Sequence, residues 1–184
     1  MRVITGSARG RNIKAPPGVS TRPTTDWVKE SVFNIVQFDI EGRRVLDIFA
    51  GSGQMGIEAL SRGARECVFV ENDRNAVKVI NENLRTLGFS EISNVQERDY
   101  KAFTKSEKGK FDLVFLDPPY GDGHIVKTLE LFSAFDILSD GGIIICEGTK
   151  EEKLPEAVGQ LTLVNEYFYG RTKITLYKRT GVSE

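Results

Sequence analysis

"RVLDIFAGSGQMGIEAL", residues 44–60, decides the fold. An apolar strand carrying one acid, Asp47, runs into glycines at 51, 53 and 56, and a helix then opens with Ile57 and Leu60. Gly51, Gly53 and Gly56 have the G-x-G-x-x-G spacing that follows a strand where a ligand must approach the backbone closely. The next strand, "ECVFVE", ends on Glu71, 20 residues after Gly51, placed to accept the hydroxyls of a ribose. A tight strand-to-helix turn without a ligand would account for the glycines but leave Glu71 unexplained.

Outward from this unit the same rhythm repeats. A helix is expected from about Asp73 to Leu87, closed by Gly88, then a short strand "NVQE" and a fourth, "FDLVFLD". Residues 124–137 read as helix, "GGIIICE" as a fifth strand, and 151–159 as a further helix. "LTLVNEYFYG" and "TKITLYKR" alternate and meet at a Gly-Arg turn, which predicts a terminal antiparallel hairpin. Strands apolar on both faces and separated by helices make an α/β, Rossmann-like, mostly parallel sheet with helices on both faces. Ahead of it, residues 2–14 read as a small β-hairpin around "GSARGR", "STRPTTD" as a loop, and Trp27–Phe38 as a helix. Residues 1–40 are therefore expected to form an appendage to a main domain at 41–184.

The glycines admit either a dinucleotide or S-adenosylmethionine. Asp47 favours the second. A carboxylate four residues before the first glycine would repel a pyrophosphate by roughly 4 kcal/mol for unit charges ~4 Å apart, whereas it suits an ammonium and a sulfonium. The alternative is that Asp47 points into a helix cap. Asp99, just past the third strand in "QERDY", is placed to accept from an adenine amino group, to cap the following helix, or both.

The second informative stretch is "FDLVFLDPPYGDG", residues 111–123. It ends a buried-looking strand on an acid and continues with two prolines, which fix φ and remove two backbone donors. Methylation of an exocyclic amine explains the combination. That nitrogen's lone pair is delocalised into the ring, and acceptors for its hydrogens draw it back onto nitrogen. Asp117 and the rigidly held carbonyl of Pro118, braced by Pro119, supply two acceptors, and Tyr120 a face for stacking worth about 1–3 kcal/mol. The carboxylate also stabilises the positive charge that develops on nitrogen.

The bulk numbers bound the rest. With 184 residues, 40% hydrophobic and 28% charged, the chain suits one globular domain. No apolar run approaches the ~20 residues of a membrane span, and "MRVITGSARGR" has no signal-peptide core. Cys67 and Cys146 read as buried reduced thiols, which suits a cytoplasmic protein. One histidine and two scattered cysteines argue against a metal site. The net charge of −1 divides unevenly, with +5 on residues 1–29 and −6 on the remainder, as in a protein that docks a polyanion with one face.

"LDIFAGSGQMGIEALSRGA", "VFVENDR" and "FDLVFLDPPY" resemble the class I S-adenosylmethionine-dependent methyltransferases of exocyclic amines. "MRVITGSARGRNIK", "TRPTTDWVKESVFNI" and "YGRTKITLYKR" narrow the resemblance to the bacterial RsmD family, which methylates guanine N2 in 16S ribosomal RNA. It implies a seven-stranded sheet with the last strand antiparallel. It implies that Gly51, Gly53, Glu71 and Asp99 contact the cofactor and that Asp117–Tyr120 hold the target base; Asp47, Asn72 and Tyr100 are further cofactor-site candidates. Gln54-Met55 and Asn72 depart from the usual pattern, touching cofactor packing and one peripheral contact. Arg9, Arg11, Lys14 and Arg22 are candidates for phosphate contacts that position RNA, with Arg171 a further one. The expected partner is ribosomal RNA or a small-subunit assembly intermediate, and the expected state a monomer. His124 reads as a polar residue opening a helix, and Trp27 with the phenylalanines as core. Competing readings keep the chemistry but change the acceptor to adenine N6 or a glutamine amide, or replace it with a nicotinamide-dependent oxidoreductase that leaves Asp117–Tyr120 unused. A non-catalytic RNA-binding factor retaining the fold is a further reading.

Overall fold

Because the central parallel strands are apolar on both faces, helices must cover the sheet on both sides. The computed structural model describes residues 1–16 and 26–180. In chain order its elements are α1 (Asp26–Ile35), β1 (Arg44–Ile48), α2 (Gln54–Ser61), β2 (Glu66–Glu71), α3 (Arg74–Leu87) and β3 (Ser93–Glu97). They continue as α4 (Tyr100–Ser106), β4 (Phe111–Leu116), α5 (His124–Ala134), β5 (Leu138–Thr149), β6 (Ala157–Val158), β7 (Leu161–Tyr169) and β8 (Thr172–Arg179). One sheet runs β3-β2-β1-β4-β5-β8-β7-β6. The first five strands in that order are parallel, β8 joins β5 antiparallel, and β7 and β6 continue antiparallel. The order reverses between β1 and β4, so the ends of those strands flank the crevice where open α/β sheets take ligands.

Alternation along the strands divides the core. Val45, Phe69, Leu113, Phe115, Ile143 and Ile145 face α1, α2 and α3, whereas Leu46, Val70, Val114, Leu116 and Ile144 face α4 and α5. Helix α3 shows how local the instructions are. Asp73 caps its start by accepting from the Asn75 amide at 2.7 Å, and Gly88 ends it at φ 81°. Between them Ala76, Val77, Ile80, Leu84 and Leu87 form the buried stripe.

The N-terminal residues are tied to α2. Glu58 is fully buried, and its two carboxylate oxygens accept from the amides of Ile4 and Thr5 at 2.8 and 2.9 Å and from Arg62 Nε at 2.9 Å. Lys29, also fully buried, lies 3.8 Å from Glu58 and donates to the Arg2 carbonyl at 2.6 Å. Desolvation lowers the lysine's pKa, and the Glu58 charge works against that shift. Gly6 approaches Ser61 so closely that a Cβ would stand 1.8 Å from its carbonyl oxygen. Val3, Ala8, Ile13, Val28, Phe33 and Ile40 share one apolar cluster with α2 and α3.

Three expectations are corrected here. Residues 151–159 form a turn and the two-residue β6, not a helix, because Pro155 interrupts the donors a helix needs and Gly159 takes φ 56°. β6 pairs with β7 through Ala157–Thr162 and Val158–Leu161, which makes eight strands where seven were expected. The N-terminal hairpin is reduced to the single antiparallel bridge Arg2–Asn12, since the tight turns of residues 5–10 consume the intervening chain. Among the described residues no helix is long and apolar enough to cross a membrane. Cys67 and Cys146 are buried thiols on opposite faces of the sheet.

Candidate active site

β1 stops at Ile48 and the chain turns sharply. Phe49 takes φ 65°, rare for a residue with a side chain, and Gly51 and Gly53 follow at 55° and 76°. The three motif glycines do different jobs. A Cβ on Gly51 would meet nothing within 4 Å, so its missing side chain keeps space open above the loop. A Cβ on Gly56 would stand 2.3 Å from the Phe69 ring and 2.7 Å from Cys67 Sγ, so that glycine lets α2 close onto β2. Gly53 is intermediate, with Phe69 and Ile80 at 3.3 and 3.4 Å.

Glu71 fastens the loop to the end of β2. Its Oε2 accepts from the Gly51 amide at 2.9 Å, and its Oε1 from the amides of Asn72 and Asp73 at 2.8 and 2.9 Å. A carboxylate offers about four lone-pair sites, so the remaining capacity lies on Oε2, beside the open space over Gly51. Asn72 is exposed and contributes through its backbone.

Asp47 takes the second of its two possible places. It is 3% exposed, and its Oδ2 accepts from the Gly56 amide at 2.8 Å beneath the loop, so it braces α2 instead of lining the open side. Strand alternation dictates this, since Val45 and Asp47 share the α2 face. Burial pushes its carboxyl up to about 7, the Gly56 amide opposes the shift, and the Glu71 charge adds to it. Asp99 caps α4 through the amides of Lys101 and Ala102 at 2.8 and 3.3 Å.

An aromatic cluster that sequence reading missed joins the first and fourth strand ends. The Phe49 ring lies 4.8 Å from Tyr100 and 5.9 Å from His124, which opens α5. Among the described residues, the buried polar atoms without a hydrogen-bond partner include Gln54 Oε1, the Tyr100 hydroxyl and His124 Nδ1. Unpaired buried polar atoms are costly unless something else uses them. Two of them, on Gln54 and Tyr100, flank the glycine loop, and S-adenosylmethionine, with an ammonium, ribose hydroxyls and an adenine amine to offer, fits that donor and acceptor set.

Asp117 follows β4 directly and is half-buried. Pro118 is buried, Pro119 is exposed, and Tyr120 is 54% exposed. The backbone then passes through positive φ at Gly121, Asp122 and Gly123 before α5 begins. Asp117 lines an apolar crevice with Val32, Met55, Phe115, Ile174 and a second acid, Glu147. Glu147 was also missed, since a lone acid at a strand end carries no local signature. Asn83 leaves a trace, as a polar residue within the apolar stripe of α3. Its amide group binds the Lys14 backbone at 2.9 and 3.0 Å and the Ser52 carbonyl at 3.2 Å, joining the N-terminal arm to the glycine loop.

The basic candidates separate. Arg9 is exposed. Arg11 donates to the Thr86 carbonyl at 2.6 Å, and Lys14 pairs with Glu82 at 2.5 Å, so both also hold the arm against α3. Arg22 lies outside the described residues. Trp27, read as core, is 60% exposed.

A reversing parallel sheet with its glycine loop after β1, an anchored acid after β2 and antiparallel closing strands defines the Rossmann-like class I methyltransferase fold. The family model described as "Conserved hypothetical protein 95" matches residues 1–178. The chain belongs to that family, which is the RsmD family. It is 45% identical to Bacillus subtilis YlbH over 98% of this chain and all of that one. It is 35% identical to the Escherichia coli K12 ribosomal RNA small subunit methyltransferase D over 100% of this chain and 92% of that one. Among solved structures, Escherichia coli yhhF superposes with a TM-score of 0.88 at 34% identity, covering 98% of each chain. A Salinibacter ruber RNA methyltransferase solved with S-adenosyl-L-homocysteine shares the fold alone, at 16% identity and TM-score 0.68 over 88% of this chain and 96% of that one.

Proposed function

We propose that the protein transfers a methyl group from S-adenosylmethionine to the exocyclic N2 of a guanine in small-subunit ribosomal RNA, working as a monomer in the cytoplasm where ribosomes are assembled. The observation that carries the reading is the placement of two acids on neighbouring strands, Asp117 just after β4 and Glu147 within β5, in one crevice lined also by Met55 of α2. When bound, S-adenosylmethionine supplies an electrophilic methyl carbon on a sulfonium. Gly51 leaves the space above the loop clear for it, Glu71 Oε2 would accept from a ribose hydroxyl, Asp99 and Tyr100 would flank the adenine, and Gln54 Oε1 would accept from the ammonium.

The acceptor is read by its Watson–Crick edge. Guanine presents N1–H and the N2 amino group as adjacent donors, and two neighbouring carboxylates accept from both. Asp117, with the Pro118 carbonyl, holds the two N2 hydrogens, so the nitrogen lone pair projects out of the ring plane toward the cofactor side. Glu147 accepts from N1–H. Adenine would set its N1 lone pair against Glu147, and the two would repel. Tyr120 stacks on the base. Transfer would exchange the methyl carbon's bond to the sulfonium for one to N2, with neutral S-adenosylhomocysteine leaving; positive charge would grow on N2 beside Asp117, so the carboxylate's help would increase in the transition state. The extra proton then leaves to water.

The test incubates the protein with labelled S-adenosylmethionine and ribosomal RNA, or partly assembled subunits, from a strain lacking it, and identifies the labelled nucleoside. N2-methylguanosine is expected. N6-methyladenosine, or label on protein alone, would overturn the guanine reading.

A further inference from the structure

The exposed aromatic edge beside the crevice has no part in the chemistry above. Trp27, the first full turn of α1, stands 60% exposed with its ring packed edge-on against Tyr169 at 5.1 Å. Tyr169 ends β7 and pairs with Thr172 across the Gly170-Arg171 turn, and Thr172 pairs in turn with Thr149 at the end of β5. Two residues back along those strands, Glu147 and Ile174 line the crevice. Val32, on the same helix as Trp27, lines it too, and five residues of helix span about 7.5 Å. The Trp27–Tyr169 pair therefore sits on the rim of the crevice, about two stacked nucleotides away at ~3.4 Å each.

Cations surround the pair. Arg2 is held beside it through Asp26, Nε to Oδ2 at 3.3 Å. Exposed Arg171 occupies the turn, and exposed Lys150 lies against it, its amide donating to the Arg171 carbonyl at 3.1 Å. Of the acids nearby, Asp26 pairs with Arg2 and Glu166 with Lys173 at 2.7 Å, while Glu30 and Glu151 are exposed. Exposed aromatic surface edged by the cations Lys150 and Arg171 matches single-stranded nucleic acid, whose bases stack and whose phosphates need cations.

We propose that Trp27 and Tyr169 form a stacking platform for unpaired RNA nucleotides flanking the methylated one, with Arg2, Lys150 and Arg171 at their phosphates. The proposal rests on the RNA-methyltransferase reading and adds to it a surface that holds the strand on the α1 side of the crevice.

Trp27 is the sole tryptophan in the chain, so its emission reports directly on the platform. Short unpaired RNA oligonucleotides titrated into the full-length protein are expected to quench that emission. Labelled RNA should bind Trp27→Ala and Tyr169→Ala about 5- to 100-fold more weakly by anisotropy, and Trp27→Phe close to wild type. The salt slope of binding should be unchanged in Trp27→Ala and shallower by about one phosphate contact in Arg171→Ala. S-adenosylmethionine affinity should stay constant in all four. RNA that binds the wild type without quenching Trp27, and binds Trp27→Ala equally well, would overturn the platform and leave the methyltransferase reading standing. No RNA binding by the wild type would overturn both. A dimer that Trp27→Ala dissociates, with RNA affinity unaltered, would give the patch to a second copy of the chain and overturn the proposal.

Discussion

Asp117 and Glu147 leave neighbouring strands side by side. Leu116 pairs with Cys146 in the parallel register of β4 and β5, so the next residue on each strand is an acid. Phe115 and Ile145, two positions earlier, both face α1, and strand alternation puts the two acids on that same side. A guanine edge offers its N1–H and N2 amino hydrogens to two neighbouring carboxylates placed in this way.

Glu147→Ala should therefore lower kcat/KM by about 10- to 100-fold, the scale of a hydrogen bond to a charged group. Cofactor affinity should stay within about twofold, since Glu147 lines the base crevice and not the glycine loop. Steady-state methyl transfer and calorimetry of S-adenosylmethionine binding check the split. A loss confined to cofactor binding would move Glu147 to the other half of the site.

Gly51 and Gly56 should fail in different ways. Gly51→Ala adds a methyl group into open space at φ 55°, costing about 1 kcal/mol in stability, while weakening cofactor binding by tenfold or more. Gly56→Ala forces a methyl group into the Phe69 ring and should cost about 1–3 kcal/mol in folding. Denaturant unfolding beside calorimetry separates the two.

The Asp47 carboxyl gives stability a pH dependence. Its folded pKa, raised from 3.8 to about 7, means the folded state holds the proton more tightly than the unfolded chain. Its contribution is complete below the ordinary aspartate value and is lost as pH rises through 7. Three pKa units correspond to at most ~4 kcal/mol. Between pH 4 and 8, wild type should lose stability relative to Asp47→Asn by up to that amount in urea unfolding, and parallel curves would refute the assignment.

What the sequence disclosed was local. The Asp73 cap, the Gly88 terminator and the stripe between them define α3 without reference to anything distant, and the glycine loop announces itself through spacing. The 151–159 misreading arose where composition suits a helix, but Pro155 and pairing with β7 decide otherwise. Glu58 gives no sign that it collects amides from residues more than 50 positions away. Glu147 acquires its meaning from the β4–β5 register alone. Asp47 was ambiguous because its two possible partners, a ligand and a helix amide, lie on opposite sides of one loop. Trp27 escaped for a related reason: helical periodicity places it beside the buried face, and only Tyr169, brought in by the closing hairpin, shows which way it turns.

The central claim is that the Asp117 carboxylate orients the amine for methylation, and turnover of one variant tests it most directly. In methyl transfer to ribosomal RNA, Asp117→Ala should fall at least ~100-fold below wild type, with S-adenosylmethionine bound about as tightly as before. Turnover close to wild type in that variant would contradict the account.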